Sequence, residues 1–404
     1  MILMPWRTTV VEQRMGFLVD WQRREYSLAE LCRQYEISRP TAYKWIERYE
    51  VEGVEGLQDR SRAAYEHPNE VSEAVEKQFL AVRGKYPLWG ARKIRAHLTR
   101  NGCSGPVPAA STIGAMLQSH GLTVSQKRNS KAPSRTEPLG HADAPNRVWC
   151  ADFKGWFYTG DGKRCDPLTI TDGYSRYLLR CQAVKGEDTL HSKPVFEAAF
   201  REYGLPERMR TDNGAPFGSN GDLGLTGLSV WWIKLGIRPE RIRRGKPQEN
   251  GRHERMHRTL KQATASPPGR NRREQQVRFD RFREEYNKVR PHEALGQVPP
   301  AEYYEDSPRQ YPVRLAEVEY DNDLEVRWVE QGGRIRWHGE RIFVSHALER
   351  EPVGLKQIGE QAWEMYFKDY VLGVVEDGRT CLWTLEKWAR RKGRRGEAGV
   401  ATTC

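Results

Sequence analysis

The strongest constraint on the fold of this chain comes from three acids in sequence order. The first two lie on short apolar runs, and the third lies near the start of a helix. Asp152 lies within the first run, and Asp212 ends the second at a turn. Pro247 and Asn250 favour a helix start, because proline has no N–H to leave unpaired and asparagine caps the first turn. The helix that begins there carries Glu254. Carboxylates on two strands and on a later helix can converge, so the sequence predicts an α/β core with an acidic site.

Three convergent carboxylates suit hard divalent cations, which activate water or a 3′-hydroxyl against a phosphodiester. A general-base histidine is then not needed, since the metal lowers the pKa of the nucleophile. On the helix, Glu254, Arg258 and Lys261 share one face at i, i+4 and i+7. Taken alone, this face is explained equally well as a solvated helix with an internal ion pair.

The motif order resembles the DDE transposases of bacterial insertion sequences and the retroviral integrases. Four motifs carry the resemblance: the two aspartates, Pro247-Gln-x-x-Gly-x-x-Glu254, Thr169–Arg176 and Arg290–Leu295. It implies a ribonuclease H-like catalytic core in which Asp152, Asp212 and Glu254 are both catalytic and metal-binding. It also implies two Mg²⁺ ions per active site, replaceable by Mn²⁺, and DNA contacts from Arg258 and Lys261.

The identity of the third acid depends on spacing. Between Asp212 and Glu249 there are 36 intervening residues, which is near the family's usual separation, whereas 41 residues intervene between Asp212 and Glu254. The Gly-rich stretch Gly218–Gly227 resembles a loop insertion that accounts for the excess, and Glu254 keeps register with the motif that begins at Pro247. We therefore expect Glu254 to be the third acid, although Glu249 stays open.

Helices precede the core. Residues 1–62 predict a helix-turn-helix domain whose last helix directs four polar or basic side chains outward to DNA: Arg39, Thr41, Lys44 and Arg48. Residues 63–121 resemble the second helix-turn-helix of the same transposases, which implies that Arg92 and Lys93 contact phosphates. The composition of residues 122–146 predicts a basic linker.

The remaining boundaries depend on the change to strand patterns at Arg147. Residues 147–306 form the expected core of mixed α/β sheet, in which Asp172 is a turn residue rather than a ligand. Short alternating strands over residues 311–386 predict a small β-barrel, and residues 387–404 a disordered basic tail. The fold class is therefore multidomain α+β: all-α helix-turn-helix units, a ribonuclease H-like core and a C-terminal barrel.

The net charge indicates the class of partner, and the cysteine content indicates which kinds of site the chain lacks. The chain has a net charge of +12, and the surplus is concentrated between Arg238 and Arg290 around the third acid. Such a basic block is expected where a polyanion is held near acidic groups. Seven scattered cysteines without a Cys-x-x-Cys pair argue against disulfides and a zinc site. We expect double-stranded DNA (element ends and target) as partner, a homo-oligomer on DNA, no membrane segment, and a place in the bacterial cytoplasm with the nucleoid.

These features predict an insertion-sequence transposase that binds element ends, cleaves their 3′ ends with metal and joins them to target DNA. A catalytically silent DNA-binding regulator derived from such a protein is the alternative. Three clustered, mutually repelling acids argue against that alternative, since DNA binding alone gains nothing from them. A ribonuclease H-type nuclease is disfavoured by the two helix-turn-helix units.

Overall fold

The structure is a computed structural model that describes residues 9–60, 71–123, 140–219, 221–242 and 251–391. The chain divides into two compact units, residues 1–70 and 71–404. No helix in the described ranges is long and apolar enough to cross a membrane.

The first unit contains three helices, α1 (Val10–Arg23), α2 (Leu28–Gln34) and α3 (Arg39–Glu52). Thr9 and Ser27 form capping boxes with Glu12 and Glu30, which satisfies N–H groups that a helix start otherwise leaves unpaired. The helices enclose one apolar cluster that includes Phe17, Leu31 and Trp45. The predicted helix-turn-helix arrangement is confirmed in this unit.

The second helical group opens the larger unit with α4 (Glu73–Lys85), α5 (Ala91–Asn101) and α6 (Ala110–Ser119). Its core includes Phe79, Trp89 and Ile94, and Val289 from much later in the chain packs against it. The indole of Trp89 donates a hydrogen bond to Glu285, at 3.2 Å. This group therefore packs against residues 285–289 of the same unit.

A six-stranded mixed sheet forms the centre of the larger unit. Its strands, in chain order, are β1 (Val148–Phe153), β2 (Phe157–Tyr158), β3 (Arg164–Asp172), β4 (Leu178–Val184), β5 (Arg208–Thr211) and β6 (Arg238–Arg241). The spatial order is β2-β3-β1-β5-β6, with β4 also paired to β3. The central strand β1 runs antiparallel to β3 and parallel to β5. This confirms the expected mixed sheet with Asp152 on its central strand.

Two helix pairs contribute to two separate apolar clusters of this sheet. Helices α7 (Thr189–Tyr203) and α8 (Gly227–Lys234) pack with Trp149 and Ala151 of β1. Helices α9 (Gly251–Thr264) and α10 (Arg272–Lys288) belong to the other cluster. Because successive strand residues point to opposite faces, Asp152 lies on the face opposite Ala151, toward α9.

The C-terminal region forms six strands, β7 (Glu325–Trp328), β8 (Arg334–Trp337), β9 (Glu340–Phe343), β10 (Pro352–Gly359), β11 (Ala362–Phe367) and β12 (Tyr370–Glu376). The expected barrel is not confirmed. Across the described strands, β12-β11-β10-β7 form an open sheet and β8-β9 a separate hairpin. The physical reason is that this sheet shares its apolar core with Val230 and Ile233 of α8, so a helix covers the surface that closure would otherwise bury.

The basic tail also departs from expectation at its start. Residues 385–391 form a helix, α11. Arg391 pairs with Glu376 and lies 5.1 Å from the centre of the Trp383 ring. The segment from Lys387 to Arg391 is thus part of the fold, because its cationic side chains find an acid and an aromatic face. Residues 392–404 lie outside the described ranges.

Candidate functional site

The parallel pairing of β1 and β5 brings two predicted site residues side by side. Cys150 of β1 lies opposite Arg210 of β5. Asp152 lies two residues after Cys150, and Asp212 lies two residues after Arg210. Both therefore lie at the carboxyl ends of neighbouring strands. Met209 shares an apolar cluster with Trp149 and Ala151. Alternation therefore places Asp212 on the same face as Asp152.

Helix α9 brings the third predicted acid to the same edge. Glu254 in its first turn is exposed and lines an open cavity of about 540 Å³ together with Asp152. Four cationic or polar side chains complete the lining that is relevant to an anionic substrate: Lys154, Arg258, Lys261 and Gln262. The cavity therefore combines two carboxylates with a cationic rim.

A buried histidine connects β1 with α9. The Thr169 hydroxyl donates to the Asp152 carbonyl at 3.1 Å and lies 2.7 Å from Nε2 of His257. Since the hydroxyl proton is directed at the carbonyl, Nε2–H of His257 donates to the hydroxyl oxygen. Nδ1 is then unprotonated and lies 3.9 Å from Oδ2 of Asp152. Burial, then His253 and Lys154, lowers the pKa of His257 to about 2, so this approach is not an ion pair.

Burial raises the pKa of Asp212, and the Gly214 N–H, which donates to Oδ1 at 3.1 Å, only partly opposes that rise. Sequence reasoning missed two further acids near it. Burial raises the pKa of Glu187, with Asp166 and more weakly Asp212 adding to the effect. The side chain of Asp166 is held by Arg164, with contacts between 2.6 and 2.9 Å. Their approach depends on strand pairing, which local sequence does not reveal.

The carboxylate oxygens at this edge of the sheet are the type of ligand that a divalent cation binds. In the described part of the chain, no three His, Cys, Asp or Glu side chains stand within ligand range of one point. Asp152 and Glu254 nevertheless share a cavity, with Asp212 on the adjacent strand end. Negative oxygens are the donors that Mg²⁺ prefers. The unprotonated Nδ1 of His257 also faces Asp152, and two acceptors facing each other favour a donor or cation between them.

Asp172 has the structural role expected from sequence. It is buried, its Oδ1 accepts the Asn146 N–H at 2.8 Å, and its Oδ2 accepts the N–H and hydroxyl of Ser175, each at 2.7 Å. These bonds hold the turn between β3 and β4, and they occupy both carboxylate oxygens.

The predicted DNA-contacting residues of α3 differ in accessibility. Arg39 and Lys44 are exposed. Thr41 is half-buried and its hydroxyl lies 2.8 Å from that of Ser38, the residue that caps the helix. Arg48 is half-buried and lies 5.1 Å from the ring centre of Trp45. On the other unit, Arg258 and Lys261 are exposed on α9, as expected.

Arg92 and Lys93, the predicted phosphate contacts of the second helical group, each contact a later part of the chain, and Arg92 is exposed. Arg92 pairs with Glu293 at 2.7 Å, and Lys93 donates to the carbonyl of Pro291. Burial, then the positive charge of Arg290, lowers the pKa of Lys93 to about 8. That these side chains bind phosphates stays a prediction. The contacts with Glu293 and Pro291 were not predicted, because these partners lie about 200 positions away in the chain.

The stretch proposed as an insertion lies between β5 and α8. Gly224 has a φ of +61°, and a Cβ there would overlap the guanidinium of Arg241. Leu223 and Leu225 pack against the cluster that contains the C-terminal strands. Glu249, the alternative third acid, lies outside the described residues.

Comparisons with known proteins agree with this arrangement. Two models described as integrase core domain match residues 142–247 and 235–300. A helix-turn-helix domain model matches residues 13–64, and a homeodomain-like domain model residues 41–117.

Two similar proteins are encoded by insertion elements. An uncharacterized 31.7 kDa protein of element IS407 from Burkholderia multivorans is 26% identical over 252 residues, covering 59% of this chain and 82% of that protein. An uncharacterized 39.2 kDa protein of element IS476 from Xanthomonas euvesicatoria is 24% identical over 254 residues, covering 60% of this chain and 69% of that protein.

Among solved structures, the HTLV-2 integrase catalytic core domain in complex with magnesium is 16% identical, with a TM-score of 0.32, covering 40% of this chain and 99% of that chain. A simian T-cell lymphotropic virus intasome in complex with a PP2A regulatory subunit is also 16% identical. Its TM-score is 0.35, and the match covers 74% of this chain and 99% of that chain. The integrase core models and the insertion-element relatives together support an insertion-element transposase of the integrase superfamily.

Proposed function

We propose that this protein binds the ends of its insertion element, cleaves their 3′ ends in a metal-dependent reaction and joins them to target DNA. One observation carries the proposal. Parallel strands place Asp152 beside Asp212, and Glu254 lines the cavity next to Asp152. A protein that only binds DNA has no use for such a set at the edge of a cationic cavity.

Asp152, Asp212 and Glu254 are the residues that would hold metal, with Mg²⁺ as the expected species, two ions per site, and Mn²⁺ as a substitute. When bound, such ions lower the pKa of an attacking water or 3′-hydroxyl and stabilise the leaving oxygen. Burial raises the pKa of Asp212, so positive charge close to that carboxylate would stabilise its ionised form.

The protein's own side chains hold the DNA and fix the carboxylates. Lys154, Arg258 and Lys261 line the cavity and can neutralise phosphates on either side of the scissile bond. The Thr169 hydroxyl on β3 contacts both the Asp152 carbonyl and His257, so it links the strand that carries Asp152 to the helix that carries Glu254. The carboxylate geometry is thereby set before DNA arrives, which lowers the reorganisation needed for reaction.

End recognition falls to the first helix-turn-helix unit through the exposed Arg39 and Lys44, with Thr41 and Arg48 beside them. We further propose a homo-oligomer on DNA, because two element ends must be processed together. The place of action is the bacterial cytoplasm, at the nucleoid.

Arg39→Ala with Lys44→Ala should weaken binding to the element end. Binding to the end sequence no different from wild type would remove α3 from recognition.

The decisive experiment compares Glu254→Gln with Glu249→Gln and Asp152→Asn on a labelled duplex that carries the element end, with Mg²⁺ or Mn²⁺. Glutamine keeps the shape of glutamate but removes its charge. Glu254→Gln should therefore lower metal affinity and strand cleavage together while end binding survives. Glu249→Gln should stay close to wild type, because an acid at a helix start contributes under about 1 kcal/mol.

Three results are distinguishable. An inactive Glu249→Gln beside an active Glu254→Gln assigns the third carboxylate to Glu249. Cleavage that persists in Asp152→Asn contradicts the carboxylate mechanism. A wild-type protein that binds ends but cleaves nothing with either metal supports the silent-regulator alternative.

A further inference from the structure

Two large aromatic side chains stand exposed beside the acidic cavity. Trp156 is 54% exposed and Tyr158 57% exposed, and their ring centres lie 5.1 Å apart at an angle of 66°. Residues two apart in an extended segment point to the same side. We call this pair the Trp156–Tyr158 ledge.

The backbone beneath the ledge is held in place. Phe157, between the two exposed rings, packs against the cluster of α9 and α10. The adjoining turn rests on a later loop, since the Gly160 N–H donates to the Gly269 carbonyl at 2.9 Å. A Cβ at Gly160 would come within 3.1 Å of the Arg270 backbone, which shows how closely the segments approach. The ledge is a fixed surface.

The ledge adjoins the candidate active site on two sides. Lys154 and Lys261 line both the cavity of Asp152 and Glu254 and a neighbouring cavity lined by Trp156. On the other side, the Arg164 guanidinium lies 5.5 Å from the Trp156 ring centre and 3.7 Å from Glu187. A DNA strand in the acidic cavity would therefore be able to continue past Lys154 and Lys261 to the ledge.

Aromatic faces beside cations match the chemistry of an unpaired nucleotide. A base inside a duplex has both faces stacked already, whereas an unpaired base offers a free face and a phosphate. We propose that the Trp156–Tyr158 ledge stacks an unpaired base of a frayed DNA end whose adjacent phosphate lies at Lys154 and Lys261. This inference rests on the proposed function, and it names the form of DNA that the site takes.

The test uses the full-length protein without divalent metal, so that binding is measured apart from cleavage. Two duplexes carry the element end, one blunt and one with unpaired terminal nucleotides, each with 5-iododeoxyuridine at the terminus. Wild type should bind the frayed duplex more tightly and cross-link to Trp156 or Tyr158 on irradiation. Trp156→Ala with Tyr158→Ala should lose roughly 5- to 150-fold in affinity per stacked base on the frayed duplex only.

Trp328→Ala is the matched control, because this tryptophan is 64% exposed on the C-terminal sheet. It should leave both affinities and the cross-link unchanged. Equal loss on blunt and frayed DNA overturns the inference, as does a frayed-end preference that survives the double substitution. A changed oligomeric state in the double variant assigns the ledge to a protein interface and also overturns it. If wild type cleaves ends but shows no frayed-end preference, the inference fails while the proposed function stands.

Discussion

Replacing Thr169 with valine tests whether the contact between β3 and α9 organises the acidic site. The hydroxyl of Thr169 lies between the Asp152 carbonyl and Nε2 of His257, at 3.1 and 2.7 Å. Valine has nearly the same shape but neither donates nor accepts, so the strand and the helix lose their polar connection without creating a cavity.

The magnitude depends on burial. A net hydrogen bond contributes about 1 kcal/mol, and a buried donor left without a partner costs about 1–3 kcal/mol. His257 is buried, so its Nε2–H is largely shielded from water in the variant. We expect the free energy of unfolding to fall by about 2–3 kcal/mol. End cleavage should fall as well and need more Mg²⁺ for half-maximal rate, because Asp152 and Glu254 are no longer held together.

The assay combines urea denaturation with cleavage of the labelled end over a series of Mg²⁺ concentrations. Thr171→Val is the control on the same strand, since the Thr171 side chain is half-buried and hydrogen-bonds to no residue in the described ranges. It should change the free energy of unfolding by less than about 0.5 kcal/mol. Its Mg²⁺ requirement should match that of wild type.

A double-mutant cycle provides the refutation. If the two side chains bond directly, Thr169→Val and His257→Phe should be non-additive by about 1 kcal/mol or more. Losses that add within about 0.5 kcal/mol would show that the two residues stabilise the site independently. An unchanged Mg²⁺ requirement in Thr169→Val would contradict the positioning role even if stability falls.

Three further outcomes concern stability. Asp172→Ala should lower the free energy of unfolding by about 3 kcal/mol in urea denaturation, because the buried donors of Asn146 and Ser175 lose their acceptor. A loss under about 1 kcal/mol would contradict this. Arg391→Ala should lower the free energy of unfolding by about 1 kcal/mol, because the pair with Glu376 is half-buried and the guanidinium also lies beside the Trp383 ring. A melting curve with no shift would favour the prediction of a disordered tail. The pKa of Lys93 is about 8 in the folded protein and 10.5 in the unfolded chain, so between these pH values the folded state is deprotonated while the unfolded chain keeps its proton. The free energy of unfolding of wild type should therefore rise across this range relative to that of Lys93→Met. Parallel pH profiles of the two proteins in urea denaturation would refute this.

The mixed sheet and its two aspartates were predictable because they rest on local patterns. Apolar runs of strand length end at Asp152 and Asp212, and a resemblance supplied the pairing that brings them together. Strand β10 escaped notice because it begins with Pro352 and contains Gly354, residues that normally indicate a turn. The structure explains the glycine, since a Cβ there would lie 2.7 Å from the ring of Tyr320.

Contacts between distant segments were not predictable from one sequence. The resemblance implies a phosphate contact for Lys93, and that stays a prediction. The contact of Lys93 with the Pro291 carbonyl was not predictable, because that segment packs there only in the folded chain. The open C-terminal sheet has the same origin: alternation predicts strands, but the helix that covers them, α8, lies in an earlier part of the sequence.

The anchoring of α9 has a consequence for how such chains can diverge. Met256 and Leu260 are buried in one cluster with Phe279 and Phe282 of α10, so the helix position is fixed by packing along its length. The packing of residues that follow Glu254 therefore fixes its position. Residues added or removed between the second and third acids need not move the third carboxylate. The number of residues between the second and third acids can therefore vary, and that number does not identify which glutamate is the third acid.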